Sequence, residues 1–271
     1  MFGLENINYH QYNIEHKLNE VLDENIDKNI NLDKKLTRPV YETVDPDNKT
    51  PFSTEYDDLI RLHYLVTSRK VTTILEFGVG KSTPIFNHAL SNNKSLYHDY
   101  VTSELRRSNP FECFSIDNNQ DWIDLTKDTF PNLDNVHFHF SEIEMSTFNQ
   151  QICTFYKHIP NICPDFIYLD APDQFSPEGS IRGISTRHPD RMPMSADILG
   201  FENFLTPGTL IVIDGRSANA RFLKNNLKRD WNYYYSEDFD QHFFELKEMP
   251  LGPYNKRQIQ FCLGSDWFEG L

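Results

Sequence analysis

From Lys70 onward, short apolar runs recur at helix-length intervals: Val71–Phe77, Glu112–Ile116, Val136–Phe140, Asp165–Leu169 and Thr209–Ile213. An acidic residue stands at or near the end of each: Glu76, Asp117, Glu142, Asp170 and Asp214. Continuous apolar strands are buried on both faces, and helix-length connections between them return the chain to the same edge, so the pattern predicts a parallel sheet covered by helices. The tail has a different texture. Tyr233–Tyr235, His242–Leu246 and Ile259–Leu263 lie close together and are rich in aromatic or apolar residues, which predicts antiparallel strands closing one edge. The expected fold is α/β: a doubly wound, mostly parallel seven-stranded sheet with helices on both faces, an antiparallel C-terminal edge and an N-terminal helical extension.

A chain of 271 residues suits one such domain plus an appendage. Residues 1–52 read as the appendage and residues 53–271 as the domain. Within the former, Ile14, Leu18, Val21, Ile26 and Ile30 recur at helical spacing, predicting an amphipathic helix over 11–30. Such a helix can dock on the domain, pair with a second subunit to make a homodimer, or lie over a cofactor; the sequence leaves all three open. Pro39, Pro46 and Pro51 mark 38–52 as an extended linker, and Ser53 or Thr54 then caps a helix running to about Arg69. A net charge of −14 argues against nucleic acid as the main ligand, since phosphate binding needs clustered cations. No apolar run reaches the roughly 18–20 residues of a membrane helix, and the start lacks the basic-then-apolar layout of a secretory signal. The four cysteines show neither CxxC spacing nor dense pairing, so they read as buried thiols in a reducing, cytoplasmic setting.

The sharpest local signal is Ile74-Leu75-Glu76-Phe77-Gly78-Val79-Gly80-Lys81-Ser82-Thr83-Pro84, where a strand enters a glycine turn and a helix leaves it. Thr83 reads as the helix cap and Pro84 as its first residue. Gly78 and Gly80 let a ligand approach the backbone, and the helix start offers free N–H groups. Gly80-Lys81-Ser82 invites a phosphate-loop reading, but Leu75 stands where that motif needs its first glycine. The dinucleotide pattern G-x-G-x-x-G fails at Thr83.

A carboxylate at the strand end followed by G-x-G resembles motif I of the class I S-adenosylmethionine-dependent methyltransferases. Ser82 stands at the family's third glycine. The resemblance spans about residues 70–264 and is one of motif order. It implies that Glu76, Gly78, Gly80, Ser82, Asp117 and Glu142 bind S-adenosylmethionine, with Asp117 accepting from the ribose hydroxyls and Glu142 marking the adenine region. Tyr168-Leu169-Asp170-Ala171-Pro172 is similar to motif IV, and Pro207-Gly208-Thr209-Leu210 opens the fifth strand as the family does. One departure is the long gap from Glu76 to Asp117, where Asn92–Pro110 reads as an insertion.

Methyl transfer needs a nucleophile held in line with the methyl carbon, water excluded and often a proton removed. Asp170, His188 and Asp214 are the acid–base candidates. In a metal-dependent branch of the family, aspartates at the strand ends of Asp170 and Asp214 bind Mg²⁺. Gly215 stands where that branch usually carries a third ligand, so that ligand is either missing or supplied from elsewhere, with Asp173 and Asn219 as the candidates. The connection after Asp170, residues 171–200, is long enough to be a substrate lid and carries Arg182, Arg187, His188 and Arg191. With Arg216 past the fifth strand, these arginines suit an anionic or sugar-like small molecule, unless nearby Glu178, Asp190 and Asp197 pair with them. The sequence thus predicts a methyltransferase acting on a small acceptor, most readily at oxygen. The rivals are a non-catalytic binding module of the same fold and a nucleotide-phosphate enzyme.

Overall fold

A computed structural model describes residues 2–22 and 54–271. The N-terminal segment forms α1 (Tyr9–His16) and α2 (Leu18–Val21). The domain opens with α3 (Tyr56–Ser68), β1 (Thr73–Phe77), α4 (Ser82–Glu104), β2 (Glu112–Asp117), α5 (Gln120–Thr129) and β3 (Val136–Phe140). A hairpin follows, β4 (Ile143–Phe148) and β5 (Gln151–Tyr156), and then β6 (Phe166–Leu169). The last part comprises α6 (Asp197–Phe201), β7 (Leu210–Asp214), α7 (Ser217–Asn226), β8 (Trp231–Ser236), β9 (Gln241–Leu246) and α8 (Pro253–Leu263).

Seven strands form one sheet in the order β3-β2-β1-β6-β7-β9-β8. The first five are parallel, β9 runs antiparallel to β7, and β8 pairs antiparallel with β9. The expected sheet and its antiparallel edge are present. Period-two alternation divides the strands between two cores. Ile74, Leu210 and Val212 face α3, α4 and the N-terminal segment; Leu75, Phe77, Ile211 and Ile213 face the hairpin, α6 and α7.

Four expectations need correction. Ile259–Leu263 is the end of helix α8, which starts at Pro253 after Gly252 and stops at Gly264, the arrangement in which proline opens a helix and glycine ends it. The Asn92–Pro110 insertion is mostly helix, because α4 continues for 23 residues. Where a crossover helix is expected between β3 and β6, the hairpin stands instead. The N-terminal helix breaks at Lys17, whose φ of 52° is left-handed, and its continuation past Leu22, like the 38–52 linker, lies outside the described residues.

Of the three roles open to the N-terminal segment, residues 2–22 take the first. Leu4, Leu18 and Leu22 are buried in the core with α3 and α4, and the Phe2 ring meets Tyr234 and Phe243 at 5.7 and 5.6 Å. Ile14, part of the predicted apolar stripe, is exposed. Of the cysteines, Cys113, Cys153 and Cys262 are buried free thiols and Cys163 is exposed.

Candidate functional site

The strand order reverses between β1 and β6, so the connections leaving their carboxyl ends run to opposite faces of the sheet, which makes this switch point the usual place for a ligand crevice in an open α/β sheet. The glycine turn forms one wall. Gly78 has φ 105°, and a Cβ there would lie 3.1 Å from the Ala171 Cβ and 3.2 Å from the Asp170 carbonyl oxygen, so only glycine fits. A Cβ on Gly80 would meet nothing within 4 Å, leaving open space above its backbone. The helix begins at Ser82, earlier than expected, with Lys81 as its cap residue.

Glu76 works from beneath this turn. It is completely buried and accepts hydrogen bonds from the hydroxyls of Ser82 at 2.5 Å, Thr83 at 2.8 Å and Ser115 at 2.5 Å. The Thr83 hydroxyl in turn accepts from the Gly80 amide at 3.2 Å. Burial pushes the Glu76 carboxyl up to about 7, against the pull of its three hydroxyl donors. Ser82 therefore fills the family's third glycine position as a tie to Glu76. The Lys81 ammonium donates to the Thr54 hydroxyl, at the approach to α3.

Asp117, the last residue of β2, holds the turn from the other side. One carboxylate oxygen accepts from the Val79 amide at 2.8 Å and the other from the Asn119 amide at 2.8 Å. Its burial pushes the carboxyl up to about 6. Each carboxylate oxygen carries two lone pairs, so Asp117 keeps acceptor capacity for a ligand.

On the far wall, Asp170 follows β6 and is half-exposed. The Arg216 guanidinium donates to its carboxylate at 3.2 Å, to its carbonyl oxygen, and to the Pro172 carbonyl at 2.5 Å. Asp214 ends β7 and accepts from the Tyr168 hydroxyl at 3.4 Å. Among the described residues, the acids with ligand oxygens within 4.8 Å of one another are Glu55, Asp58 and Asp214; Asp170 is not among them. Both candidates for a third metal ligand are otherwise occupied. Asp173 accepts from the Phe175 and Ser176 amides at 2.6 and 2.9 Å, and Asn219 is bonded through both ends of its amide to the Ser195 backbone. Among the described residues, Asp170 and Asp214 thus share no three-acid cluster, and neither Asp173 nor Asn219 is free to join them.

The connection after Asp170 is pinned to both edges of the hairpin. The Met145 amide donates to the Glu178 carbonyl at 2.8 Å and the Glu178 amide to Ile143 at 2.8 Å. Beside β5, the Thr154 amide donates to Met194 at 2.8 Å and the Ala196 amide to Thr154 at 3.0 Å. Most of the segment between these anchors is exposed, with Thr186 and Pro193 buried. Arg187 donates to the Ser176 carbonyl at 3.3 Å and Arg191 to the Ser185 carbonyl at 2.5 Å, so both brace the loop internally. Arg182 is exposed at a left-handed φ of 55°. His188 is half-exposed, accepts from the Asp190 amide at 3.1 Å and lies 3.8 Å from the Asp190 carboxylate. Glu142 is an exposed residue at the hairpin's base, where Lys157 at 2.6 Å holds its carboxyl below the usual range. The structure thus gathers Glu76, Gly78, Gly80, Ser82, Asp117, Asp170 and Arg216 around one crevice. Glu142, His188, Arg187 and Arg191 make their hydrogen bonds and ion pairs elsewhere, with hairpin and loop partners.

Sequence reading gave no role to two polar residues of this region, Ser115 and Tyr156, and named Asp197 only as a partner for the loop arginines. Ser115 lies inside an apolar strand. Asp197 is buried, accepts from the Tyr156 amide and the Ser195 hydroxyl at 3.0 Å each, and is pushed up to about 7 by burial. The period-two pattern of Ile143-Glu144-Met145-Ser146 was the available signal for the hairpin that carries Tyr156.

The sheet order, the antiparallel edge and the glycine turn after β1 together define a doubly wound, Rossmann-like α/β fold. No family model and no curated protein sequence matches the chain. Solved structures similar to it include the O-methyltransferase from Bacillus cereus in complex with S-adenosylhomocysteine, at 12% identity and a TM-score of 0.37, covering 87% of this chain and 98% of that one. Another is the S-adenosylhomocysteine-bound methyltransferase PaMTH1 of Podospora anserina, at 10% identity and a TM-score of 0.38, covering 73% and 80%. A third is the O-methyltransferase TomG of Streptomyces achromogenes in complex with S-adenosylmethionine, at 12% and 0.39, covering 72% and 81%.

Proposed function

We propose that the protein is an S-adenosylmethionine-dependent methyltransferase acting on a small anionic or sugar-like acceptor, at oxygen. The observation that carries this reading is the glycine turn at the switch point. It is braced from beneath by Glu76 and from the side by Asp117, with open space over Gly80. A turn held this way presents backbone to a ligand without moving, and Asp117 can only accept hydrogen bonds, which suits a ligand bearing hydroxyl groups.

S-adenosylmethionine, when bound, supplies a methyl group made electrophilic by its sulfonium. The chain's own residues bind and orient. Glu76, Ser82 and Thr83 fix the turn, Gly78 and Gly80 let the ligand reach it, and Asp117 orients a diol. Asp170 and Asp214 stand at the ends of β6 and β7, where an acceptor hydroxyl would lose its proton to a carboxylate. Arg216, bonded to Asp170, sets the orientation of that carboxylate and offers positive charge to an anionic acceptor. Arg182, whose side chain makes no hydrogen bond or ion pair among the described residues, is the second cation available to it, and His188 is a reserve base on the loop surface.

Calorimetric titration with S-adenosylmethionine and S-adenosylhomocysteine, with ATP and NAD as controls, tests the reading. Micromolar binding of the two sulfur nucleosides alone is expected. Binding of ATP instead, or of none of the four, would overturn it.

A further inference from the structure

The hairpin that stands in place of a crossover helix delivers one side chain to the switch point. Tyr156 is the last residue of β5; its amide donates to Asp197 at 3.0 Å, and it pairs across the hairpin with Ile143. Its ring lies against Phe77, the last residue of β1, with centroids 5.7 Å apart. Phe77 immediately precedes Gly78, so the ring is fixed beside the glycine turn by two separate elements. The ring is 95% buried, at 5% exposure, and its hydroxyl has no hydrogen-bond partner among the described residues. Glu76 and Asp117 nearby are satisfied as described, and Tyr168 through Asp214, whereas the Thr154 hydroxyl on the same strand shares the lack of a partner among the described residues.

A hydroxyl buried without a partner is a net cost to folding, and replacing it with hydrogen would relieve that cost. Such a group persists most readily where a ligand completes it. The charges that act on the Tyr156 hydroxyl come from the crevice walls: Asp117, Asp173 and Arg216, together with Asp197. Burial first, and the three carboxylates next, push the phenol well above its ordinary range, so it stays protonated and acts as a donor. That polarity complements Asp117. A ribose diol offers two O–H donors and two acceptor oxygens; Asp117 serves the donors alone, and a donor is required for the oxygens.

We infer that Tyr156 is a ligand-binding residue of the crevice, donating a hydrogen bond to a ribose oxygen of the adenosyl nucleoside that Asp117 orients. This rests on the proposed function. The test is Tyr156→Phe, which keeps the ring on Phe77 and removes only the hydroxyl, titrated with S-adenosylhomocysteine beside the wild type and followed by thermal melting of the unliganded protein. The variant is expected to bind about 3- to 10-fold more weakly, the effect of one net hydrogen bond. Its unliganded melting temperature is expected to be equal or higher. Unchanged affinity overturns the inference while leaving the methyltransferase reading intact. A lowered melting temperature with weaker binding also overturns it, since the hydroxyl would then be structural. A wild type that binds no S-adenosylhomocysteine overturns the reading itself and the inference with it.

Discussion

Gly78 and Gly80 sit two positions apart in one turn, and the structure gives them different jobs. Gly78 is required by the fold: its positive φ and the contact with Ala171 leave no room for a side chain. Gly80 is required by nothing in the protein itself, since a Cβ there enters empty space. Two substitutions should therefore separate. Gly78→Val is expected to destabilise the protein by about 1–3 kcal/mol and to abolish nucleoside binding. Gly80→Ala is expected to stay within about 0.5 kcal/mol of wild type in urea unfolding and yet lose nucleoside affinity, because its methyl group occupies the ligand's space. A Gly80→Ala protein that binds normally would remove the turn from the site. Both glycines were legible in the sequence. The division of labour was not, because it depends on Ala171, which follows β6, the neighbour of β1 in the sheet but about ninety residues further along the chain.

At the scale of elements, the short apolar runs were legible because parallel strands are buried on both faces and must be apolar throughout. The hairpin was not. Its strands alternate, as a half-covered pair should, but its turn is Asn149-Gln150, with φ of 46° and 66°, where the recognisable signal would carry glycine. The α1–α3–α4 contact was equally invisible, being made by histidines scattered through the chain. His63 is fully buried on α3; its Nδ1 lies 2.8 Å from the Tyr12 hydroxyl of α1 and its Nε2 lies 3.0 Å from His88 Nδ1 of α4. His16 of α1 and Tyr64 and Thr67 of α3 complete the surroundings, with Asn92 of α4 beside His88 and Glu15 on α1. Burial lowers His63 far below the usual imidazole range, with the charges of His88 and His16 adding to this; His88 and His16 are lowered too, chiefly by burial. The docked form thus binds fewer protons than an undocked one. Its stability is fully present above the free-imidazole value of about 6.5 and is lost as pH falls below it. Amide exchange across Tyr9–His16, corrected for its intrinsic rate, should accelerate between pH 7.5 and 5.5, whereas exchange in β1 should not. Equal behaviour of the two segments would count against this account.

For the molecule as a whole, one buried cation ties distant parts together. Arg61 on α3 is 2% exposed and donates to Gln241 of β9 at 3.2 Å and to the Tyr9 hydroxyl of α1 at 3.2 Å. It pairs with Asp57 at 3.1 Å and with Asp58, and it lies over the Phe239 ring at 4.5 Å. Removing a buried charge from between its partners typically costs about 3–5 kcal/mol, so Arg61→Ala should lose much of the stability measured by urea unfolding. A change below about 1 kcal/mol would mean that the cluster contributes little net energy. The sequence could not reveal this tie. Arg61 lies among the apolar residues of a helix and reads there as an exposed position, and its partner on β9 is 180 residues away. That separation has a consequence for how the protein is made in the cell. Strand β9 inserts between β7 and β8, so the edge of the sheet cannot close until Leu246 has left the ribosome. At about 5–20 residues per second, Arg61 waits roughly 10–40 s for Gln241 to be synthesised. A nascent chain of this protein therefore spends most of its translation with an open sheet edge and without the Arg61–Gln241 tie, a period in which a ribosome-bound chaperone has something to hold.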